Sequence, residues 1–266
     1  MCPINRAIFM TVLALGIVLP ASADFNAGVA AYQKQDYATA LKEFRVAADQ
    51  GNADAQAWLG FIYESGEGVA KDAPQAAQWY QKAAEQGHEG AQVNLAIMHY
   101  SGQGIPRDYM QAAKWYRKAA ERGNAIAQVT LGIMYYEGQG VAQNYAEAAE
   151  WYRKAGEQGD GYAQGQLGYM NQVGQGIPKD LPQAMVWYHF AALQGDAVAQ
   201  YALAKIFFTG EDVDKSLVQA HRWSSLAAEQ GNKDAAGLRD SVAKLMTPEQ
   251  LAESRQQSGV QSLPNH

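Results

Sequence analysis

Apolar and polar positions follow helical spacing along the chain, and the whole pattern recurs every 36 residues. In one representative window, Ala127, Leu131 and Met134 are three or four positions apart, so they share one face of a helix. A second stripe, which includes Ala148 and Tyr152, follows in the same window. No strand-like alternation interrupts the pattern. Each window is therefore predicted to form two helices.

Four residue types keep the 36-residue step, and such internal repetition is typical of solenoid proteins. We interpret the tryptophans as buried packing rather than a stacking ladder for sugars or bases, because aromatic residues at helical spacing usually belong to a core. We expect the glutamines to hydrogen-bond backbone between helices. The columns are Trp79, Trp115, Trp151, Trp187 and Trp223; Gly51, Gly87, Gly123, Gly159, Gly195 and Gly231; Leu59, Leu95, Leu131, Leu167 and Leu203; and Gln56, Gln92, Gln128, Gln164 and Gln200.

Capping residues and glycines mark the predicted helix ends. Asn124 and Asn144 each precede an apolar stripe and can cap a helix N-terminus. Gly138 and Gly140 follow the first stripe, and glycine takes the left-handed conformation that ends a helix. Paired glycines also occur in phosphate-binding loops, but their recurrence at helix ends favours helix termination.

The N-terminus has the pattern of a secretory signal peptide. Arg6 precedes an uncharged apolar run over residues 7–19, and Pro20 is followed by the small residues Ala21-Ser22-Ala23. We expect cleavage after Ala23, a periplasmic or secreted protein, and no stable membrane span after cleavage. An uncleaved anchor is the alternative. The predicted segments are a signal peptide (1–23), an N-terminal hairpin (24–51), five repeats (52–87, 88–123, 124–159, 160–195 and 196–231), capping helices (232–257) and a disordered tail (258–266).

Composition and charge exclude several classes of function. The 266-residue chain is 48% hydrophobic, and its net charge of −6 does not suit a nucleic-acid binder. Cys2, the one cysteine, lies in the predicted signal peptide, so the mature chain would have no disulfide or cysteine nucleophile. The five histidines lack metal-ligand spacing. Ser241 and Lys244 match the S-x-x-K motif, but no K-T-G or S-D-N partner follows. We therefore expect no metal, no cofactor and no enzymatic activity.

The repeated pattern A-x-A-Q-x-x-L-G-x-x-Y-x-x-G-x-G-V, followed by A-x-x-W-Y-x-x-A-A-x-x-G, resembles Sel1-like repeats, which are relatives of the tetratricopeptide repeat. Residues 53–231 carry this resemblance, and Asp36, Tyr37 and Ala40 in the N-terminal hairpin are similar to a tetratricopeptide unit. Asp212 departs from the pattern, because it stands where the second loop glycine belongs. The resemblance implies an all-α fold, a right-handed α-solenoid of helix-turn-helix units that binds other proteins.

By the same resemblance, the first helix of each unit should line a concave groove. Its positions vary from unit to unit and are rich in aromatic residues, which are favoured binding anchors. The alternative is that tight superhelical curvature buries these side chains against one another. The predicted groove residues are Phe61, Val93, Ile97, Tyr100, Val129, Ile133, Tyr136, Tyr162, Tyr169, Tyr201, Lys205 and Phe208.

These observations predict an exported, monomeric scaffold that binds a protein or peptide partner in the cell envelope, in regulation or assembly. A second hypothesis is an envelope enzyme or accessory that acts on peptidoglycan or β-lactams. A third is self-assembly through the solenoid ends.

Overall fold

A computed structural model describes residues 25–259, and every regular element in this part of the chain is an α-helix. The predicted signal peptide and residues 260–266 of the predicted tail lie outside the described residues. The helices are α1 (Phe25–Gln33), α2 (Tyr37–Asp49), α3 (Ala53–Ser65), α4 (Ala73–Glu85), α5 (Glu89–Ser101), α6 (Tyr109–Glu121), α7 (Ala125–Glu137), α8 (Tyr145–Glu157), α9 (Gly161–Val173), α10 (Leu181–Leu193), α11 (Ala197–Thr209), α12 (Leu217–Glu229), α13 (Lys233–Ala243) and α14 (Pro248–Gly259).

Each 36-residue window contains two helices of 13 residues, a first helix and a second helix. From α1 to α13, consecutive helices pack against each other, so the units stack in chain order, and α14 returns to pack against α12. The described residues therefore form an all-α repeat solenoid, which confirms the predicted fold class. The first helices are α3, α5, α7, α9 and α11, and the second helices are α4, α6, α8, α10 and α12.

The predicted caps form, and they explain why the helices begin and end where they do. Asn124 Oδ1 accepts a hydrogen bond from Ala127 N at 2.9 Å and starts α7. Gly138 ends this helix in the left-handed conformation, with φ 73°. Asn144 Oδ1 then accepts hydrogen bonds from two backbone amides in the first turn of α8. These bonds satisfy amides that have no partner within the helix.

The C-terminal cap differs in detail from the prediction. The first of the two capping helices, α13, ends at Ala243. Thr247 and Gln250 then form a reciprocal capping box, in which each side chain accepts a hydrogen bond from the other residue's backbone amide. The helix that follows continues to Gly259, so Ser258 and Gly259, which we assigned to the tail, are helical.

The leucine and tryptophan columns form much of the core. All five leucines of the leucine column are buried. Four of the five residues of the tryptophan column are also buried, which supports the interpretation of the tryptophans as packing residues. Trp187 is only partly buried. It lies against α8 where a glycine, Gly156, replaces the alanine of neighbouring units: a Cβ at Gly156 would lie 3.4 Å from the Trp187 ring.

The glutamine column joins consecutive units, as predicted. Gln56 Nε2 donates to the backbone oxygen of Ala48 at 3.1 Å, across the junction between two helical pairs. The same bond recurs in the next four units at 2.9–3.1 Å. Each of these carbonyls lies near the end of the preceding helix and also accepts a hydrogen bond from the backbone amide of the column glycine, so the glutamine adds a second bond.

Candidate functional site

The candidate site is the first-helix face, which we define as the solvent-exposed side of α3, α5, α7, α9 and α11. Several predicted groove residues are exposed there. Phe61 is 39% exposed, Ile97 38%, Tyr169 44% and Tyr162 48%. Lys205 is also exposed. Apolar side chains of this size, exposed on α3, α5 and α9, form a surface of the kind that marks an interaction site.

One predicted groove residue is not part of this surface. Val93 is only 7% exposed and belongs to the buried core. It directly follows Gln92, the column glutamine of its unit, which is also buried. Val93 is therefore a packing residue, and the prediction that it lines an open groove needs this correction.

The remaining predicted residues are half-buried, and two of them connect neighbouring units. The Tyr100 hydroxyl donates to Gln139 Oε1 at 2.9 Å, and the Tyr136 hydroxyl donates to Gln175 Oε1 at 3.0 Å. Burial raises the pKa of both phenols. These side chains thus stabilise the stack and present only part of their surface. The other half-buried residues of the set are Val129, Ile133, Tyr201 and Phe208.

The structure reveals a cavity at Gly90, which we call the Gly90 cup. Trp58, Phe61 and Tyr80 form aromatic walls around an open space of about 280 Å³, and His88 and Asn94 add polar groups to its lining. The cup exists because Gly90 has no side chain where the corresponding positions of other units carry Asp54, Ile126, Tyr162 or Val198. It suits an apolar side chain of a partner.

A second cavity, the Gly165 cup, opens between α9 and α11. Its volume is about 390 Å³, and tyrosines dominate its lining. Gly165 occupies the position of Val93 and Val129 in other units, so a missing side chain again creates the space. Sequence reasoning missed both cavities. The available signal was a glycine in a column that elsewhere carries side chains.

Sequence reasoning also missed an apolar patch on a second helix. Val186, Phe190 and Leu193 are exposed on α10. The corresponding positions of α8 are Glu150, Lys154 and Glu157, so α10 departs from the charged outer surface of its neighbour.

The candidate catalytic residues do not assemble into a reactive centre. Ser241 Oγ donates to the backbone oxygen of Gly237 at 2.8 Å, which occupies the hydroxyl hydrogen within its own helix. His221 Nδ1 lies 2.8 Å from Ser254 Oγ, but this serine is fully buried, and the pair joins α12 to α14.

Among residues 25–259, no group of three His, Cys, Asp or Glu side chains is placed to hold a metal ion. In the same range no helix has the length and apolarity needed to cross a membrane.

The stacked helical pairs and the exposed first-helix face define a repeat protein of the α-solenoid class. The Sel1 repeat family matches five consecutive segments, at residues 53–88, 90–124, 125–160, 161–196 and 197–232. The chain belongs to the Sel1 repeat family. Proteins of this family generally mediate protein–protein interaction and are typically non-catalytic.

Two solved structures are similar over most of the chain. A protective antigen of uropathogenic Escherichia coli strains, which has a Sel1-like repeat fold, is 37% identical with a TM-score of 0.77 and covers 86% of this chain. This chain spans 50% of that protein's length. A Sel1 repeat protein from Oxalobacter formigenes is 35% identical with a TM-score of 0.74, and the match covers 88% of this chain and 96% of that one. No curated protein matches the chain.

Proposed function

We propose that the protein is a binding scaffold whose first-helix face holds a peptide segment of a partner protein. The observation that carries this proposal is the pair of cups at Gly90 and Gly165, each formed where the repeat loses a side chain. The solenoid's own packing does not require these cavities, since other units fill the equivalent positions.

The dimensions of the face suit an extended segment. The Gly90 cup lies between α3 and α5, and the Gly165 cup lies between α9 and α11. The two cups are therefore separated by three steps from one first helix to the next. Packed helices are about 8–10 Å apart, so the cups would be separated by roughly 24–30 Å. An extended chain advances about 3.3 Å per residue. A segment of about eight or nine residues would therefore reach both cups, with exposed Ile97 and Tyr169 along its path.

Site-specific photo-crosslinking tests the proposal in cells that express the protein. A photoreactive residue replaces Ile97 on the first-helix face, and the control replaces Lys118, which lies on the second helix α6. We expect a discrete crosslinked partner only from position 97, and we expect Phe61→Ala with Tyr169→Ala to reduce its yield. Equal crosslinking from both positions, or none from position 97, would contradict the proposal.

We further propose that the scaffold is exported and acts in the cell envelope. The charged start, the apolar run and the small residues before Asp24 support this location. N-terminal sequencing of protein recovered from the cell envelope and medium tests it. We expect a chain that begins at Asp24, whereas an intact N-terminus in the cytoplasm would exclude export.

A further inference from the structure

The Gly165 cup contains one carboxylate oxygen that the fold does not use. Asp196 caps α11, and its Oδ1 accepts a hydrogen bond from Ala199 N at 2.7 Å. Its Oδ2 overhangs the cup, because a Cβ built on Gly165 would lie 3.9 Å from this atom. Within residues 25–259, Oδ2 forms no hydrogen bond or ion pair. The cap therefore directs a free acceptor into an open cavity.

The walls of the cup are aromatic, and no basic side chain compensates the carboxylate. Tyr136, Tyr162, Tyr169 and Tyr188 line the cavity with Asp196, and no lysine or arginine of the described chain is among the lining residues. Burial, and then the charges of Tyr169 and Asp196, raise the pKa of Tyr188, so the carboxylate acts on the wall at short range. Aromatic faces attract cations, and the attraction strengthens where water is excluded.

We propose that the Gly165 cup binds a cationic side chain of the partner, preferably arginine. The guanidinium stacks on tyrosine faces and donates to Asp196 Oδ2, while its aliphatic stem lies along the apolar wall. This inference rests on the proposed function, since it assigns a chemical identity to one residue of the bound segment. The Gly90 cup, which has no carboxylate in its lining, takes an apolar side chain.

The other units show why this combination is specific to one place. Asp196 lies 31 positions after Gly165, and the same spacing identifies the equivalent pairs of cap and groove residue in the other units. The preceding unit has an aspartate, Asp160, at the equivalent cap, but its equivalent groove residue is Val129, which carries a side chain. At the next junction towards the N-terminus the cap is the neutral Asn124, and the equivalent groove residue is Val93. Only the Gly165 cup combines an acidic cap with a missing side chain among the five Sel1 units.

The repeat itself supplies variants that should preserve the fold. Asp196→Asn removes the charge and keeps the cap, because Asn52 and Asn124 cap α3 and α7 through the same bond. Gly165→Val fills the cup with the side chain found in α5 and α7. Asp160→Asn is the matched charge control. Gly237→Val is the matched helix control, because Gly237 lies in α13 with no atom within 4 Å of its built Cβ.

The test pans a random-peptide display library against the full chain and measures the affinity of the selected peptides. We expect the wild type to select peptides with arginine or lysine at one fixed position. Asp196→Asn and Gly165→Val should each weaken the best peptide at least tenfold, and both controls should bind like wild type. Replacing the peptide's arginine with norleucine should weaken binding to wild type but should make no further difference to Asp196→Asn.

The possible failures are distinguishable. Selected peptides without a basic position, or an unchanged affinity for Asp196→Asn, would overturn the cation assignment and leave the binding face intact. Selection of no peptide above background would overturn both the assignment and the proposed function.

Discussion

At the scale of single residues, a ladder of paired glutamines shows how one substitution leaves a defect. Gln158, at the end of α8, donates to Gln128 Oε1 at 2.7 Å and to the backbone oxygen of Gly123 at 3.0 Å. Gln86, Gln194 and Gln230 form the same pair with the glutamine of their own unit. Arg122 stands at this position after α6. It still bonds to a backbone oxygen, but Gln92 Oε1 is buried without a hydrogen-bond partner.

We predict that Arg122→Gln stabilises the protein by about 1 kcal/mol, because it would satisfy the buried Gln92 oxygen. Urea denaturation at pH 7 measures the change in the free energy of unfolding. Gln158→Arg is the converse control and should destabilise by a similar amount. If Arg122→Gln is neutral or destabilising, the unpaired oxygen is not an energetic defect.

The sequence predicted the glutamine column and its bonds to the backbone, because the 36-residue step makes those residues visible. It did not predict the second bond. The paired glutamines are 30 residues apart, and their contact depends on how two helices pack. The same limit explains Val93: the helical pattern places it on the groove face, but its burial depends on the rotation between units.

At the scale of helices and their connections, the loop glycines set how closely successive units approach. Gly140 has φ 69°, and a Cβ there would lie 2.1 Å from the backbone oxygen of Tyr109 in the preceding unit. Gly159 also has positive φ, at 95°, but a Cβ there would meet nothing within 4 Å. A substitution at Gly159 would therefore introduce conformational strain alone, whereas one at Gly140 would also introduce steric contact between units.

We predict that Gly159→Ala costs about 1–2 kcal/mol of stability from backbone strain alone. Gly140→Ala should cost roughly 1–3 kcal/mol more, because the new methyl group must displace backbone across the unit boundary. Thermal and urea unfolding of the two variants provide the comparison. Equal losses would show that the loop does not determine the spacing of the units.

We predict that His221, which lies on α12 and contacts Ser254 on α14, makes the C-terminal cap sensitive to acid. Burial lowers the pKa of His221, and the charges of Arg255 and Arg239 lower it further, while Asp240 opposes them. A histidine with a depressed pKa binds fewer protons in the folded state than in the unfolded state. Stability should therefore be retained above the unfolded value of about 6.5 and should fall as the pH drops below it.

We expect the free energy of unfolding to decrease between pH 7.5 and 5.5, and we expect His221→Asn to reduce this dependence. The pH dependence that remains should come from His99 and His189, because burial also lowers their pKa values. Urea titrations at several pH values measure the slope. An unchanged slope in His221→Asn would exclude this residue as a source of the acid sensitivity.

At the scale of the whole molecule, the period revealed the fold but not the shape of the binding face. The helix pairs, their caps and the buried leucines follow from residues that recur. The cups follow from residues that break the recurrence, Gly90 and Gly165, and a missing side chain becomes a cavity only once neighbouring helices surround it. The exposed Val186 and Phe190 on α10 are likewise exceptions to the repeat, and they carry information about this chain rather than the family.

The core of the solenoid is divided into two buried clusters that meet in the fourth repeat. The larger one extends from Ala31 to Met170, and the smaller one includes Leu181, Leu203 and Trp223. In a stack of repeats each unit is stabilised mainly by its neighbours. A defect in the smaller cluster should therefore remain near the C-terminal end.

We predict that Leu203→Ala, which empties a fully buried site, destabilises α10–α12 by about 2–5 kcal/mol and leaves the N-terminal units protected. Hydrogen exchange followed by mass spectrometry should show faster exchange in α10–α12 and unchanged exchange in α3–α6. Leu95→Ala is the matched change in the larger cluster and should show the opposite distribution. If Leu203→Ala accelerates exchange uniformly, the solenoid unfolds as one cooperative unit. In that case the first-helix face would fold or unfold as a whole, because the Gly90 cup could not persist while the helices around the Gly165 cup unfold.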